Sequence, residues 1–271
     1  MSKAGLAWEC PSCLNPTVPG KKKKGAGYHS KACPECGFAI DETSARATML
    51  VVNAPPPNAD GFVTYIDGDD ISRRYQSIVP SKWLNTAVSG WNYKNEETYL
   101  PPKLLVRQAG VGIVATIDRT KSRCPQSIYI YRLKPEYAKN AYSHEFVLAA
   151  LLSRTMAYYI FKRFGEIDPA KAHAKLTHQR LSSMPIPRVD FSDVEQRRAH
   201  AAVTKLAERL SHGGAALGGD EDRTIELELR KLWGIAPEES AYINREFVDI
   251  PDSQIVRDLF PNGIPRGVLL N

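Results

Sequence analysis

Four of the five cysteines fall in two pairs, Cys10-Pro-Ser-Cys13 and Cys33-Pro-Glu-Cys36-Gly37. A Cys-x-x-Cys turn brings two sulfurs to one point in space. Two such turns, nineteen residues apart, match the spacing of a four-cysteine zinc site. Zinc takes four tetrahedral ligands and suits thiolate sulfur. Proline inside each turn stiffens it, and Gly37 permits the reversal after the second pair. Cys10, Cys13, Cys33 and Cys36 are therefore expected to hold a structural zinc ion, with iron in the same four-sulfur cage as the rival. Four protein thiolates leave no open position for catalysis. A redox pair would need no second pair, and a cytosolic chain argues against disulfides. His29 could replace a cysteine as ligand, but four thiols already complete the set. Cys124 is distant in sequence and reads as a packing thiol.

Between the pairs runs Pro19-Gly20-Lys21-Lys22-Lys23-Lys24-Gly25. A lysine run flanked by glycines is either a finger for phosphate contact or a solvated loop. Charge is uneven along the chain, whose net value is +6. Residues 1–40 hold six lysines against two glutamates, while residues 220–271 hold eleven acidic residues against six basic ones. A basic front and middle suit a polyanion such as DNA, and an acidic tail suits a protein partner or solvent. No run of eighteen apolar residues occurs, so no membrane span is expected. The start MSKAGLAWEC lacks the apolar core of a signal peptide, which gives a cytoplasmic expectation.

Local patterning gives the elements that carry these residues. Residues 41–46 are polar and link the cysteine module to a β-rich stretch. Thr48–Asn53 and Gly61–Ile66 make up that stretch, and Ser81 is placed to cap a short helix over Lys82–Val88. Lys103–Gln108, Val111–Ile117 and Ser127–Leu133 predict three strands, the first two joined by Ala109-Gly110 as a hairpin. One helix is predicted from His144, capped by Ser143, to about Phe164, and a short one over Lys171–Leu181. Met184-Pro185-Ile186-Pro187 should be extended. Ser192-Asp193-Val194-Glu195 opens a long helix carrying Ala199, Val203, Leu206 and Leu210 at heptad-like steps. A Gly-rich linker, 212–219, precedes a last helix over Arg223–Trp233 with Ile225, Leu229 and Leu232 on one face. These two apolar faces either pack on each other or dock a protein partner. The histidines show no spacing that would make them ligands with carboxylates. The fold class expected is α+β: an N-terminal zinc ribbon (1–46), a mixed domain with a largely antiparallel sheet (47–190) and a helical tail (191–271).

Several ordered motifs carry a resemblance. Ile78-Val79-Pro80 precedes Trp83. Pro101-Pro102-Lys103-Leu104-Leu105-Val106-Arg107-Gln108 resembles a strand of the form kpKLLyR, and Ile113–Asp118 and Ser127–Tyr131 resemble the two strands after it. Ala149-Ala150-Leu151-Leu152-Ser153 stands where an LaiLNS helix is expected, without the Asn. Leu181–Pro187 resembles a closing l..lpIP, and Ile225–Glu239 resembles a terminal idelvyeLYgLteeE. In this order they resemble the TaqI-like C-terminal specificity domain, the target-recognition part of adenine-specific DNA methyltransferases. That family's Asn-Pro-Pro-Tyr motif and its Gly-rich loop for S-adenosylmethionine are not found here. Pro55-Pro56-Pro57-Asn58 has the wrong order, and Gly110-Val111-Gly112 sits in a predicted hairpin.

The resemblance implies a non-catalytic DNA specificity subunit of a restriction–modification system. It would recognise the target site and position partner adenine methyltransferase subunits, with a restriction subunit as a further partner. Such a domain lays strands and loops in a groove and reads base edges, Arg forking onto guanine and Gln onto adenine. The expected readers are Arg119, Lys121, Arg123 and Gln126, with Lys103 and Arg107 on the neighbouring strand and Arg73 and Arg74 before the helix. Lys171, Lys175, Gln179 and Arg180 form a second basic patch suited to phosphates. For each of these the alternative is a surface charge or a fold-holding ion pair. Two other functions stay open: a stand-alone zinc-ribbon nucleic-acid-binding regulator, and an enzyme such as a nuclease. The enzyme would need Asp67, Asp69 and Asp70, the tight acidic cluster, which reads more naturally as a loop.

Overall fold

Every described strand precedes the first α-helix, which makes the protein α+β. The computed structural model describes residues 6–22, 24, 25, 27–55, 60–71, 75, 77–110, 112–139, 141–164, 176–213, 218–248, 257, 259 and 260. The chain divides into two units. The first comprises residues 1–66, 79–100 and 121–124, and the second comprises 67–78, 101–120 and 125–271.

The first unit holds β1 (Leu6–Glu9), β2 (Pro16–Thr17), β3 (Lys31–Ala32), β4 (Ala39–Ile40), β5 (Arg46–Met49), β6 (Val51–Val52), β7 (Phe62–Tyr65) and β8 (Lys82–Asn85). They form three small antiparallel groups: β2-β1-β5, β3-β4 and β6-β8-β7. Strand β1 serves two cores. Successive side chains of a strand point to opposite faces, so Ala7 enters a cluster with Leu50, Tyr65, Leu84 and Val88. Its neighbour Trp8 enters a second cluster with Cys10, Cys33 and Ile40. Residue 46, the expected end of the ribbon, begins β5, which pairs with β1.

The helix expected over Lys82–Val88 is instead strand β8, followed by a turn. The reason is pairing on both edges. Leu84 faces Val51 on one side and Val63 on the other. Asn85 N–H donates to Leu50 O, and Thr86 N–H donates to Gly61 O. These long-range partners satisfy the backbone and outweigh a weak local helix signal.

The second unit holds β9 (Lys103–Arg107), β10 (Ala115–Asp118) and β11 (Ile128–Tyr131), then α1 (Pro135–Lys139), α2 (His144–Leu152), α3 (Arg154–Phe164), α4 (His178–Ser182), α5 (Val194–Ser211), α6 (Asp220–Leu232) and α7 (Pro237–Glu246). Strand β9 is the centre of an antiparallel sheet of order β10-β9-β11. The predicted strands are all present, but the second begins at Ala115 and not at Val111, so the connection is longer than a two-residue hairpin turn.

The long helix expected from His144 to Phe164 is two helices, broken at Ser153, whose ψ of 156° is extended. Ser153 Oγ donates to Ala150 O and accepts from Met156 N–H. Helix α5 begins at an Asp193 cap that accepts from the N–H groups of Glu195 and Gln196. The apolar residues of α5 and α6, among them Val203, Leu210, Ile225 and Leu229, join Leu104, Val106 and Phe146 in one core. Helix α7, which the sequence reading did not anticipate, packs Ile243 and Phe247 against Ala157, Leu259 and Phe260.

Candidate metal centre and nucleic-acid interface

The two cysteine turns have the same backbone. Cys10 N–H donates to Asn15 O and Cys33 N–H to Phe38 O, at 3.0 and 2.8 Å. Cys10 O accepts from Leu14 N–H and Cys33 O from Gly37 N–H, at 2.9 and 3.0 Å. The fourth residue after each leading cysteine is left-handed, with φ 62° at Leu14 and 73° at Gly37. Glycine adopts that conformation freely, but leucine does so at a cost.

The four sulfurs lie within 4.8 Å of one another, Cys10 and Cys33 buried, Cys13 and Cys36 exposed. Cys10 Sγ is 3.6 Å from Cys36 Sγ, and Cys13 Sγ is 3.7 Å from Cys33 Sγ. A tetrahedron of bonds about 2.3 Å long has sulfur–sulfur edges of about 3.8 Å, so the donor set fits a tetrahedral ion. These distances are far too long for disulfide bonds, and all the cysteines are free thiols. The N–H groups of Cys36 and Glu35 aim at Cys33 and hold its thiol down at about 6. At Cys13 the Asn15 N–H favours the thiolate, but desolvation and the other three sulfurs prevail and push the group up to about 12. Trp8 packs behind the cage and meets Tyr28 edge-to-face, ring centres 5.6 Å apart. Neither His29 nor Cys124 belongs to the cluster.

The lysine finger is anchored at its base. Lys22 pairs with Tyr28 across an antiparallel bridge and lies 5.9 Å over its ring. A Cβ on Gly20 would stand 1.8 Å from His29 O, so only glycine lets the two sides of the loop approach this closely. Lys21, Lys22 and Lys24 are exposed; Lys23 lies outside the described residues.

The other basic positions differ sharply in surroundings. Lys103 is fully buried. Its Nζ lies 2.6 Å from Asp118 Oδ2 and donates to Thr120 O, and it supports the sheet from within rather than presenting a charge to solvent. The sequence reading missed Asp118, although it closes a strand whose register places it directly opposite Lys103. Arg107 donates to Ile71 O at 3.1 Å. Arg123 is also buried: it donates to Lys94 O, pairs with Glu96 at 3.3 Å and lies 4.2 Å over the Tyr99 ring. Arg119 is half exposed and paired with Glu145. Lys121, Gln126 and Gln179 are exposed. Arg180 lies 4.9 Å over the Phe164 ring. Arg73, Arg74, Lys171 and Lys175 lie outside the described residues. Next to Gln179, His178 stacks on Tyr131 at 5.5 Å and meets Tyr129 edge-on. Tyr129 and Tyr131 lie some fifty residues before His178 in the chain, so no local pattern signals this stack.

The acidic triplet is a turn. Asp67 accepts from Asp69 N–H, and Asp70 accepts from Asp67 N–H, capping a single 3-10 turn. Among the described residues the four cysteines form the one group of metal-ligating side chains, and no helix is long and apolar enough to cross a membrane.

Residues 63–186 match the family described as the TaqI-like C-terminal specificity domain. No curated protein matches the chain. The match runs from β7 to the extended segment after α4. It supports the specificity-domain family for that stretch, and with it DNA sequence recognition in a restriction–modification context.

Proposed function

We propose that this chain is a non-catalytic DNA sequence-specificity subunit, which recognises a target site and positions partner adenine methyltransferase subunits of a restriction–modification system. The observation that carries the reading is the specificity-domain match over residues 63–186. Such a domain reads bases and leaves chemistry to another domain or chain, because a methyltransferase must extrude its target base into a separate catalytic pocket. In this reading the bases are met by the exposed Arg119, Lys121 and Gln126, and phosphates by Lys21, Lys22 and Lys24 and by the patch at Gln179 and Arg180. The four-cysteine cage holds zinc, and the basic finger runs between its two cysteine turns. The acidic C-terminal part, with the outer faces of α5, α6 and α7, is the surface for partner subunits, and the complex works in the cytoplasm.

The test is co-expression with an adenine methyltransferase encoded beside it, followed by purification and mapping of methylated adenines. Co-purification, with site-specific methylation that requires this chain, is the expected result. If the chain purifies alone and the same sites are methylated without it, the proposal fails. A stand-alone zinc-ribbon nucleic-acid-binding regulator then becomes the better account.

A further inference from the structure

The second unit holds a cavity of about 570 Å³ lined by residues of β11, α1 and α2 and by the chain from Leu181 to Arg188. Pockets that bind small ligands fall in roughly the 300–1,000 Å³ range. One wall is fixed before any ligand arrives. Val189 N–H donates to Tyr142 Oη at 2.7 Å, Tyr142 Oη donates to Pro187 O at 3.4 Å, and Trp233 Nε1–H donates to Pro185 O at 2.8 Å. Three of the lining residues are tyrosines, Tyr131, Tyr137 and Tyr142; two are cations, Arg132 and Arg188; none is acidic. Tyr137 and both arginines are exposed, which puts them at the rim.

Aromatic and proline walls select a flat ring. Two guanidinium groups in a lining that holds no carboxylate select an anion, and the guanidinium fork matches phosphate. We propose that this cavity binds a nucleotide, with its base against the tyrosine-lined wall and its phosphate at Arg132 and Arg188. The choice of a nucleotide over other aromatic anions rests on the DNA-recognition reading. One chemistry has two sources here: a nucleotide swung out of bound duplex DNA, or a free mononucleotide.

The experiment titrates the full chain by calorimetry with each of the four deoxynucleoside 5′-monophosphates, the matching nucleosides and inorganic phosphate. Duplex binding is measured in parallel, on DNA in which 2-aminopurine replaces adenine. The expected result is that a monophosphate binds at least ~10-fold more tightly than its nucleoside or phosphate alone. Arg188→Ala and Tyr137→Ala, both at exposed positions, should each lower that affinity ~10-fold while the melting curve stays unchanged. 2-Aminopurine that brightens with the protein, but not with Tyr137→Ala, identifies duplex DNA as the source; monophosphate binding without brightening identifies the free nucleotide. Monophosphates that bind no better than phosphate, or with full affinity in both variants, overturn the proposal. If duplex binding survives that failure, this site alone is lost; if duplex binding is absent as well, the DNA-recognition reading falls with it.

Discussion

Thr155 gives both its backbone N–H and its hydroxyl to Glu226 Oε1, at 3.0 and 2.6 Å. Glu226 Oε2 takes the N–H of Arg154 at 2.8 Å. The carboxylate of α6 thus caps the first turn of α3, where free N–H groups and the helix dipole favour negative charge. Arg230 donates to Glu226 Oε1 at 3.0 Å and also reaches Ser240 and Asn244. Arg154 pairs with Asp222 at 2.6 Å. One buried polar network therefore ties α3, α6 and α7 together.

Removing Glu226 should cost more than removing any exposed charge. Glu226→Ala leaves the buried N–H groups of Arg154 and Thr155 without their acceptor and Arg230 without its carboxylate, and should destabilise the chain by roughly 3–5 kcal/mol; Glu226→Gln should cost less. Burial alone would raise this carboxyl, but Arg230, Arg154 and the Thr155 hydroxyl hold it below its ordinary value of about 4.5. A carboxyl lowered by folding adds stability that is fully present above the unfolded value and is lost as pH falls through the folded one. Urea unfolding should show the full gap between wild type and Glu226→Gln at pH 7, shrinking in acid below pH 4.5. A gap that is equal at all pH values would refute the role given to the charge.

Lys103 and Asp118 make a second buried pair, on adjacent strands of the sheet. Lys103→Ala should lose roughly 3–5 kcal/mol, because it strands the partner carboxylate. The double replacement Lys103→Met with Asp118→Leu should recover most of that loss. DNA affinity of the double variant, measured on folded protein, separates support from contact: unchanged affinity is expected, and a large drop would mean that Lys103 meets DNA after all.

The metal cage predicts a stoichiometry. Purified protein should carry one equivalent of zinc by elemental analysis. Cys36→Ser should lose it, whereas Cys124→Ser, outside the cluster, should keep it. Chelation should unfold the first unit, since binding energy at such a site is folding energy. One equivalent of iron with sulfide would identify the rival four-sulfur centre instead.

These features were unequally legible in the sequence. The cage was readable because its ligands sit at fixed local spacing, and the central sheet because β9, β10 and β11 carry strong strand patterns. Strand β8 was not, since only its pairing with residues 51–52 and 62–65 decides its state. The break at Ser153 was hidden for the same reason: its cap comes from Glu226, 71 residues beyond Thr155. Nor does a charge in a sequence announce its burial. Lys103 and Arg123 look like Arg119 and Lys121 on paper, and only the fold places the first two inside.

Leu14 offers an unusual gain. It is 66% exposed and holds the left-handed position that Gly37 holds in the other turn. Leu14→Gly relieves a backbone cost of about 1–2 kcal/mol, offset by a looser unfolded chain. The expected result is a net stabilisation of roughly 0.5–1 kcal/mol in the zinc-loaded protein. If the variant stays equally stable but binds DNA more weakly, the exposed leucine side chain is itself a contact.

The exposed basic residues should divide by what their loss does to DNA binding. Replacing Lys21, Lys22 and Lys24 together with alanine removes up to three phosphate contacts. Affinity should then fall by a similar factor on every sequence, and the slope of log affinity against log salt should flatten by roughly 2.7. Gln126→Ala should act differently. A side chain that reads a base edge contributes about 1–3 kcal/mol of discrimination, so its loss should narrow the gap between target and non-target DNA and leave the salt slope unchanged. Competition binding at several salt concentrations measures both quantities at once. A triple lysine variant that loses affinity only for the target site would make the finger a reader rather than a grip, and a Gln126→Ala variant that loses affinity uniformly would remove it from the recognition surface.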